Sequence, residues 1–187
     1  SGRYRYSDFL VLTRHLDAYA AILDPVFTTQ QVPYFKDIEK SMVDHPLVDL
    51  LSALFDIKDP SRARNYRYDD VMRFLKTELF VPRDADGQPM AIADYRQAVS
   101  VTENLVLRNG FEGKRWTQDE DWQYVWIADQ DDSPALTDRD RALTHQVNVI
   151  RHLIKDALPP FYNRFYKAKT NAQAAAILYR FLVDNGV

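Results

Sequence analysis

The stretch Thr137-Asp138-Arg139-Asp140-Arg141-Ala142-Leu143-Thr144-His145-Gln146-Val147-Asn148-Val149-Ile150-Arg151-His152-Leu153-Ile154 decides the fold class. Leu143, Val147, Ile150 and Ile154 recur at intervals of three and four, the repeat of one helix face. Thr137 stands where such a helix begins. Downstream, Pro159 and Pro160 are expected to break this helix, because neither has a backbone N–H to give. They would open a short helix holding Phe161 and Phe165. Thr170 followed three residues later by Gln173 reads as a capping box. Ala174, Ile177, Leu178 and Phe181 continue as an apolar stripe, and Gly186 can end that helix.

Upstream the same period dominates. A helix is expected over about 91–108, stopping near Gly110. Residues 111–121 read as an ordered loop with Trp116 as anchor, and residues 82–89 and 129–137 as further loops. Asp69 and Asp70 favour the positive end of a helix whose stripe is Tyr68, Val71, Leu75 and Leu79. Asp44 can cap another, in which Pro46 comes early enough to cost no hydrogen bond. Leu47, Leu50, Leu51 and Leu54 form its stripe. Residues 41–187 are therefore expected to form a helical, bundle-like subdomain.

The first 40 residues read differently. Residues 8–13, Asp-Phe-Leu-Val-Leu-Thr, form a short apolar run that suggests a buried strand. Leu16, Tyr19, Ala20, Leu23 and Phe27 follow helical spacing, with Pro25 expected to kink or shorten the helix. Val32-Pro33-Tyr34-Phe35 suggests a second strand. The expected unit is β-α-β with parallel neighbours, giving a mainly α chain with a short β-α-β beginning.

Composition excludes several classes. The 187 residues are 46% hydrophobic and 27% charged, ordinary globular usage that argues against intrinsic disorder. The chain has no cysteine, so thiolate metal sites, disulfides and a cysteine nucleophile are excluded. Apolar runs such as Leu10–Leu12 and Ala174–Leu178 are too short to span a bilayer. The net charge of -3 is uneven. Residues 118–140 hold one basic and eight acidic groups, and residues 141–187 hold seven basic and two acidic. The acidic segment reads as a solvated loop.

Motifs for phosphate cradling or serine nucleophiles are missing: there is no G-x-x-x-x-G-K-[ST] and no G-x-S-x-G. His145 and His152 would lie about 10 Å apart along one helix, too far for a shared metal ion, and read as a surface and a core-edge histidine. Asp129, Asp131 and Asp132 resemble the start of a calcium loop, but Pro134 stands where that loop needs glycine. Asp56-Ile57-Lys58 has the D-x-K spacing of metal-dependent nucleases, yet falls at a helix end rather than on a hairpin, and reads as structural. Three basic and aromatic clusters remain. Residues 62–76 carry Arg62, Arg64, Arg67, Arg73 and Lys76 among Tyr66, Tyr68 and Phe74. Residues 114–116 are Lys-Arg-Trp, and residues 161–169 add Arg164, Lys167 and Lys169 beside Tyr162 and Tyr166. Such cations neutralise phosphates and such rings stack on bases; the same pattern also builds amphipathic helices with snorkelling stems.

Ser7-Asp8-Phe9-Leu10-Val11-Leu12-Thr13-Arg14, followed by a helix and then Val32-Pro33-Tyr34-Phe35, resembles the second RecA-like motor domain of superfamily 1 DNA helicases just before its helical insertion. His45-Pro46-Leu47, Asn65-Tyr66-Arg67-Tyr68-Asp69-Asp70-Val71 and Arg73-Phe74-Leu75-Lys76-Thr77 resemble the AddB/RexB member of the two-subunit ATP-dependent helicase/deoxyribonucleases of the AddAB/RexAB kind. So do Glu103-Asn104, Asn109-Gly110-Phe111, Gly113-Lys114-Arg115-Trp116-Thr117, Tyr162, Lys167-Ala168-Lys169-Thr170 and Leu182 to Val187. The resemblance covers essentially the whole chain.

It implies an internal piece of a much longer AddB/RexB-type protein, with residues 1–40 as the edge of motor domain 2A and 41–187 as most of helical subdomain 2B. It implies a cytoplasmic protein of double-strand-break repair. Its partners would be DNA, the AddA-type motor subunit of the helicase–nuclease and the remaining domains of its own AddB/RexB-type chain, with no membrane. ATP and magnesium belong to the parent complex; no cofactor and no catalytic residue are expected in this stretch. Lys114, Arg115, Trp116, Arg73, Lys76 and Arg67 are the expected DNA contacts. Arg14 matches a basic position near the nucleotide cleft of active relatives. The competing expectation is a docking scaffold that never touches DNA.

Overall fold

The computed structural model describes residues 4–37, 42, 43, 45–125 and 137–187. The expected cap Asp44 and the rejected calcium loop at Asp129, Asp131 and Asp132 lie outside them. The chain divides into two compact units, Ser1–Met42 and Val43–Val187.

The first unit holds a 3-10 turn at Tyr6–Asp8 and helix α1, Leu16–Thr29. The helix continues through Pro25. The expected flanking strands are not found: residues 9–13 and 32–37 carry no strand pairing. A strand is stable when a neighbour takes its N–H and C=O groups, and no described segment pairs with either run. Leu10, Val11 and Leu12 are 80%, 80% and 84% exposed, so this apolar run is not buried among the described residues. Tyr34 and Lys36 fold back on α1, both bonding Asp24, at 2.8 and 2.5 Å.

The second unit is built from helices α2 (Pro46–Ile57), α3 (Tyr68–Lys76), α4 (Ile92–Asn109), α5 (Asp138–Phe165) and α6 (Asn171–Asp184), with a 3-10 turn at Gly113–Trp116. The imidazole of His45 caps α2, its Nδ1 accepting from the Leu47 amide at 3.2 Å. The α3 helix stops before Leu79 because Glu78 takes a left-handed backbone, φ 59°. Gly110, at φ 61°, ends α4 as its position suggests. Thr137 and Asp140 form a reciprocal capping box at the start of α5.

The α5 helix does not break at Pro159 and Pro160 but runs through them to Phe165. Each proline removes one helical hydrogen bond. Leu158, Phe161 and Tyr162, all fully buried, hold the helix on course; burying a side chain of this size is worth about 1.5–3 kcal/mol. At α6 the Thr170 hydroxyl accepts from the Gln173 amide at 3.2 Å, but the Gln173 side chain reaches back to the amide of Lys169 at 2.9 Å. The expected box is therefore displaced by one residue.

One aromatic chain joins α3, α5 and α6. The ring centroids of Phe74 and Phe80 lie 5.0 Å apart, those of Phe80 and Phe181 5.5 Å, and those of Phe181 and Phe161 4.4 Å. The Tyr95 hydroxyl ties α4 to α3 by donating to the Leu75 carbonyl at 2.8 Å. No helix among the described residues is long and apolar enough to cross a membrane.

Candidate nucleic-acid interface

The end of α2, the start of α3, the end of α4 and the end of α5 meet at one end of the second unit. The loop between α2 and α3 is the hub. The Tyr66 amide closes it on the Ile57 carbonyl at 2.7 Å, with a left-handed backbone at Tyr66, φ 52°. The Gly113 amide donates to the Tyr66 carbonyl at 3.1 Å, bringing the Gly113–Trp116 turn against this loop. The Tyr66 ring meets Tyr162 of α5 edge-on, with centroids 6.4 Å apart. The Tyr166 hydroxyl donates to the Lys58 carbonyl.

The expected contact residues separate into three groups. Lys114, Arg115 and Arg67 are exposed at this end. Arg115 lies over the Phe111 ring at 5.5 Å and Arg67 stands 3.6 Å from Asp69. Lys114 has no ion pair among the described residues. Arg73 and Lys76 are committed elsewhere. Arg73 binds Asp56, which also receives Arg62 at 2.8 Å. Lys76 binds Glu103 at 2.7 Å, and Tyr68 donates to the same carboxylate at 2.6 Å. Lys76, then Tyr68, hold Glu103 below the usual carboxylate range, and the Tyr68 phenol is pushed up to about 12 by that hydrogen bond.

Trp116 corrects the sequence expectation. It is fully buried and meets Trp122 edge-on at 4.8 Å. It is the anchor of its turn and has no face to offer a base. Arg14 belongs to the first unit, where it is exposed. Asp56, with two guanidinium partners, and Lys58, over the Tyr162 ring at 5.5 Å, are both spent on structure, so the D-x-K reading stays structural.

In the described part of the acidic stretch, residues 118–125 carry no helix or strand and Asp119, Glu120 and Asp121 are exposed, with two of these carboxylates also paired. Asp119 pairs with Lys155 at 2.9 Å, and Asp121 pairs with Arg151 at 3.0 Å and His152 at 2.7 Å. The reason is that α5 places Arg151, His152 and Lys155 beside the passing chain. Lys155 lowers the Asp119 carboxyl, and His152, with Arg151 and Lys155, lowers that of Asp121. Arg151 is fully buried and also binds the Gln118 carbonyl. Asn148 brackets Trp122, accepting from its amide at 3.0 Å and donating to its carbonyl at 2.8 Å. His145 is exposed and His152 half-buried, and both border an open depression of about 500 Å³.

ATP and magnesium find no fit among the described residues. The chain has no glycine-rich phosphate loop, and no three His, Asp or Glu side chains among the described residues are grouped to hold a metal ion.

No family model matches the chain. Three curated relatives are each described as the B-subunit of an ATP-dependent helicase/deoxyribonuclease. That of Levilactobacillus brevis is 54% identical over 188 residues, covering 100% of this chain. That of Lactiplantibacillus plantarum is 47% identical over 184 residues, covering 98%. That of Latilactobacillus sakei is 44% identical over 187 residues, covering 100%. This segment belongs to the B-subunit family of ATP-dependent helicase/deoxyribonucleases. It spans 15% of the length of each of these relatives. Lys114, Arg115 and Arg67 are legible in the sequence as candidate contacts, whereas Arg64 stands there only as one of a cluster. The signal that distinguishes Arg64 is tertiary, because it is exposed without a carboxylate partner among the described residues while Arg62 binds Asp56, Asp59 and Asp70.

Proposed function

We propose that this segment is a non-catalytic, DNA-contacting domain of a helicase–nuclease that processes double-strand breaks for recombinational repair. The chemistry of unwinding and cleavage belongs to other parts of the parent assembly, which uses ATP and magnesium in the cytoplasm. Residues 1–40 then serve as the edge of a motor domain and residues 41–187 as the helical subdomain. The observation that carries the reading is that Lys114 and Arg115 stand exposed beside the loop of Arg64 and Arg67, while the nearby carboxylates of Asp56, Asp59 and Asp70 are occupied by Arg62 and Arg73. Cations left over in this way favour phosphate.

The test is charge reversal at Lys114 and Arg115 in the intact complex, with binding to forked DNA followed at low salt. Reversal of two phosphate contacts is expected to weaken binding by about tenfold or more. Unchanged affinity and unwinding would remove this role.

A second reading has its own support. The exposed run Phe9–Leu12 and Phe35, 89% exposed, favour docking against the AddA-type motor subunit or against other domains of the same AddB/RexB-type chain. Retention of the chain by the immobilised motor subunit, with no DNA binding at low salt, would support a scaffold instead.

A further inference from the structure

We infer that the end of the second unit where α2, α4 and α5 terminate is one surface for the phosphates of double-stranded DNA, assembled from three sequence-distant segments and lacking any base-stacking element. The inference rests on the DNA-contacting reading and adds what form of DNA is taken and by which residues.

Three hydrogen bonds and one ring contact assemble it: Tyr66 to Ile57, Gly113 to Tyr66, Tyr166 to Lys58, and Tyr66 against Tyr162. They bring Arg64 and Arg67, Lys114 and Arg115, and Lys167 and Lys169 to the same end, all six exposed. Arg64, Lys114, Arg115, Lys167 and Lys169 have no carboxylate partner among the described residues. The acids at this end are fewer than the cations. Asp59 accepts from Ser61 and pairs with Arg62, Glu112 accepts from the Tyr68 amide at 3.4 Å, and Asp69 faces Arg67. The surface is therefore cationic although the chain as a whole is acidic.

The rings decide which DNA it suits. Single-strand binders gain much of their affinity by stacking bases on exposed aromatic rings. Here Tyr66, Trp116 and Tyr162 are buried, and Arg115 lies over Phe111. Tyr166 alone is exposed among the aromatics of segments 57–68, 110–117 and 162–169, at 44%. It stacks on Tyr162 at 6.1 Å and 17°, and its hydroxyl is held by Lys58. A protein partner would want an apolar or aromatic centre, and Tyr166 is the only exposed large apolar side chain on those segments. What remains is a set of flexible cations, suited to the regular phosphate spacing of a duplex.

The experiment is fluorescence anisotropy of the 187-residue chain with a labelled duplex of about 20 base pairs and with an oligothymidine of the same length, across a salt series. Circular dichroism checks that each variant is folded. The expected result is tighter binding to the duplex, by about tenfold, with a log–log salt slope of about -4. Arg64→Gln, Lys114→Gln and Lys169→Gln should each reduce that slope by about one, whereas Arg73→Gln, Lys76→Gln and Tyr166→Leu leave it in place. Preference for the single strand, lost on Tyr166→Leu, would overturn the inference while leaving DNA contact intact. A duplex slope untouched by the three glutamine variants would overturn it too, because the grip would lie elsewhere. No binding to either DNA at the lowest salt would sink the DNA-contacting reading itself.

Discussion

The Gly113 amide donates to the Tyr66 carbonyl at 3.1 Å, joining two loops that lie 47 positions apart. Both partners sit in left-handed backbone, Gly113 at φ 61° and Tyr66 at φ 52°. The cationic end depends on this contact, because it sets Lys114 and Arg115 beside the loop of Arg64 and Arg67. A Cβ at Gly113 would meet only the Asn65 carbonyl, at 3.8 Å, which is ordinary contact. The cost of Gly113→Ala is then backbone strain alone, about 1–2 kcal/mol. Chemical denaturation is expected to show that loss, and a smaller one for Gly113→Asn, since asparagine tolerates this region better.

Trp116 is predicted to behave as a core residue and not as a DNA contact. Trp116→Ala removes a fully buried ring packed on Trp122 and should cost about 3–5 kcal/mol of stability. Trp116→Phe should cost less and leave DNA affinity unchanged. A folded Trp116→Phe protein with weakened DNA binding would contradict this placement.

Asn148 offers a sharper test, because its two amide atoms do different jobs. Its oxygen accepts from Trp122 and its nitrogen donates to the Trp122 carbonyl. Asn148→Asp keeps the acceptor and loses the donor, and also buries a charge. Asn148→Ala loses both and leaves two backbone groups without partners, at about 1–3 kcal/mol each. Thermal unfolding should show both variants well below the parent, and amide exchange at Trp122 should accelerate in Asn148→Ala.

Gly186 and Arg83 should be energetically coupled. Arg83 donates to the Gly87 carbonyl at 2.9 Å and to the Asn185 and Gly186 carbonyls at 3.4 Å, pinning the 82–89 loop to the end of α6. A Cβ at Gly186 would fall 1.6 Å from the Arg83 guanidinium, so Gly186→Ala must displace that side chain as well as strain a φ of 74°. In a double-mutant cycle, Gly186→Ala is expected to cost less in an Arg83→Ala background than in the parent, by about 0.5 kcal/mol or more. Equal costs in the two backgrounds would show that the arginine does not matter there.

Acid should weaken the second unit through its paired carboxylates. Glu78, Glu103, Asp119 and Asp121 are all held below their ordinary values, by Arg96, by Lys76 and Tyr68, by Lys155, and by His152 with Arg151 and Lys155. For a group depressed in the folded state, the stabilisation is present above the unfolded value, about 4, and is lost as pH falls through the folded value. Stability is therefore expected to be flat from neutral pH to about 5 and to decline below about 4. Glu103→Gln should flatten part of that decline in a denaturation series.

The sequence by itself determined the helical class, because a period of three and four survives wherever one face of a helix is buried. It determined the end of α4 and the start of α5 as well: Gly110 and Thr137 act through local backbone and side-chain chemistry that needs no distant partner. It did not determine the strands expected at residues 8–13 and 32–35, since strand structure is completed by a neighbour and not by local pattern. Nor could it foresee that α5 runs through Pro159 and Pro160, where Leu158, Phe161 and Tyr162 outweigh two missing hydrogen bonds. At the candidate interface the limits are the same. Tertiary structure alone decided which cations are left over, because Arg73 and Lys76 meet Asp56 and Glu103 only across helices, and it alone turned Trp116 inward. Charge and aromatic content are written along the chain, but whether a side chain faces solvent or a counter-charge is fixed only when distant segments pack.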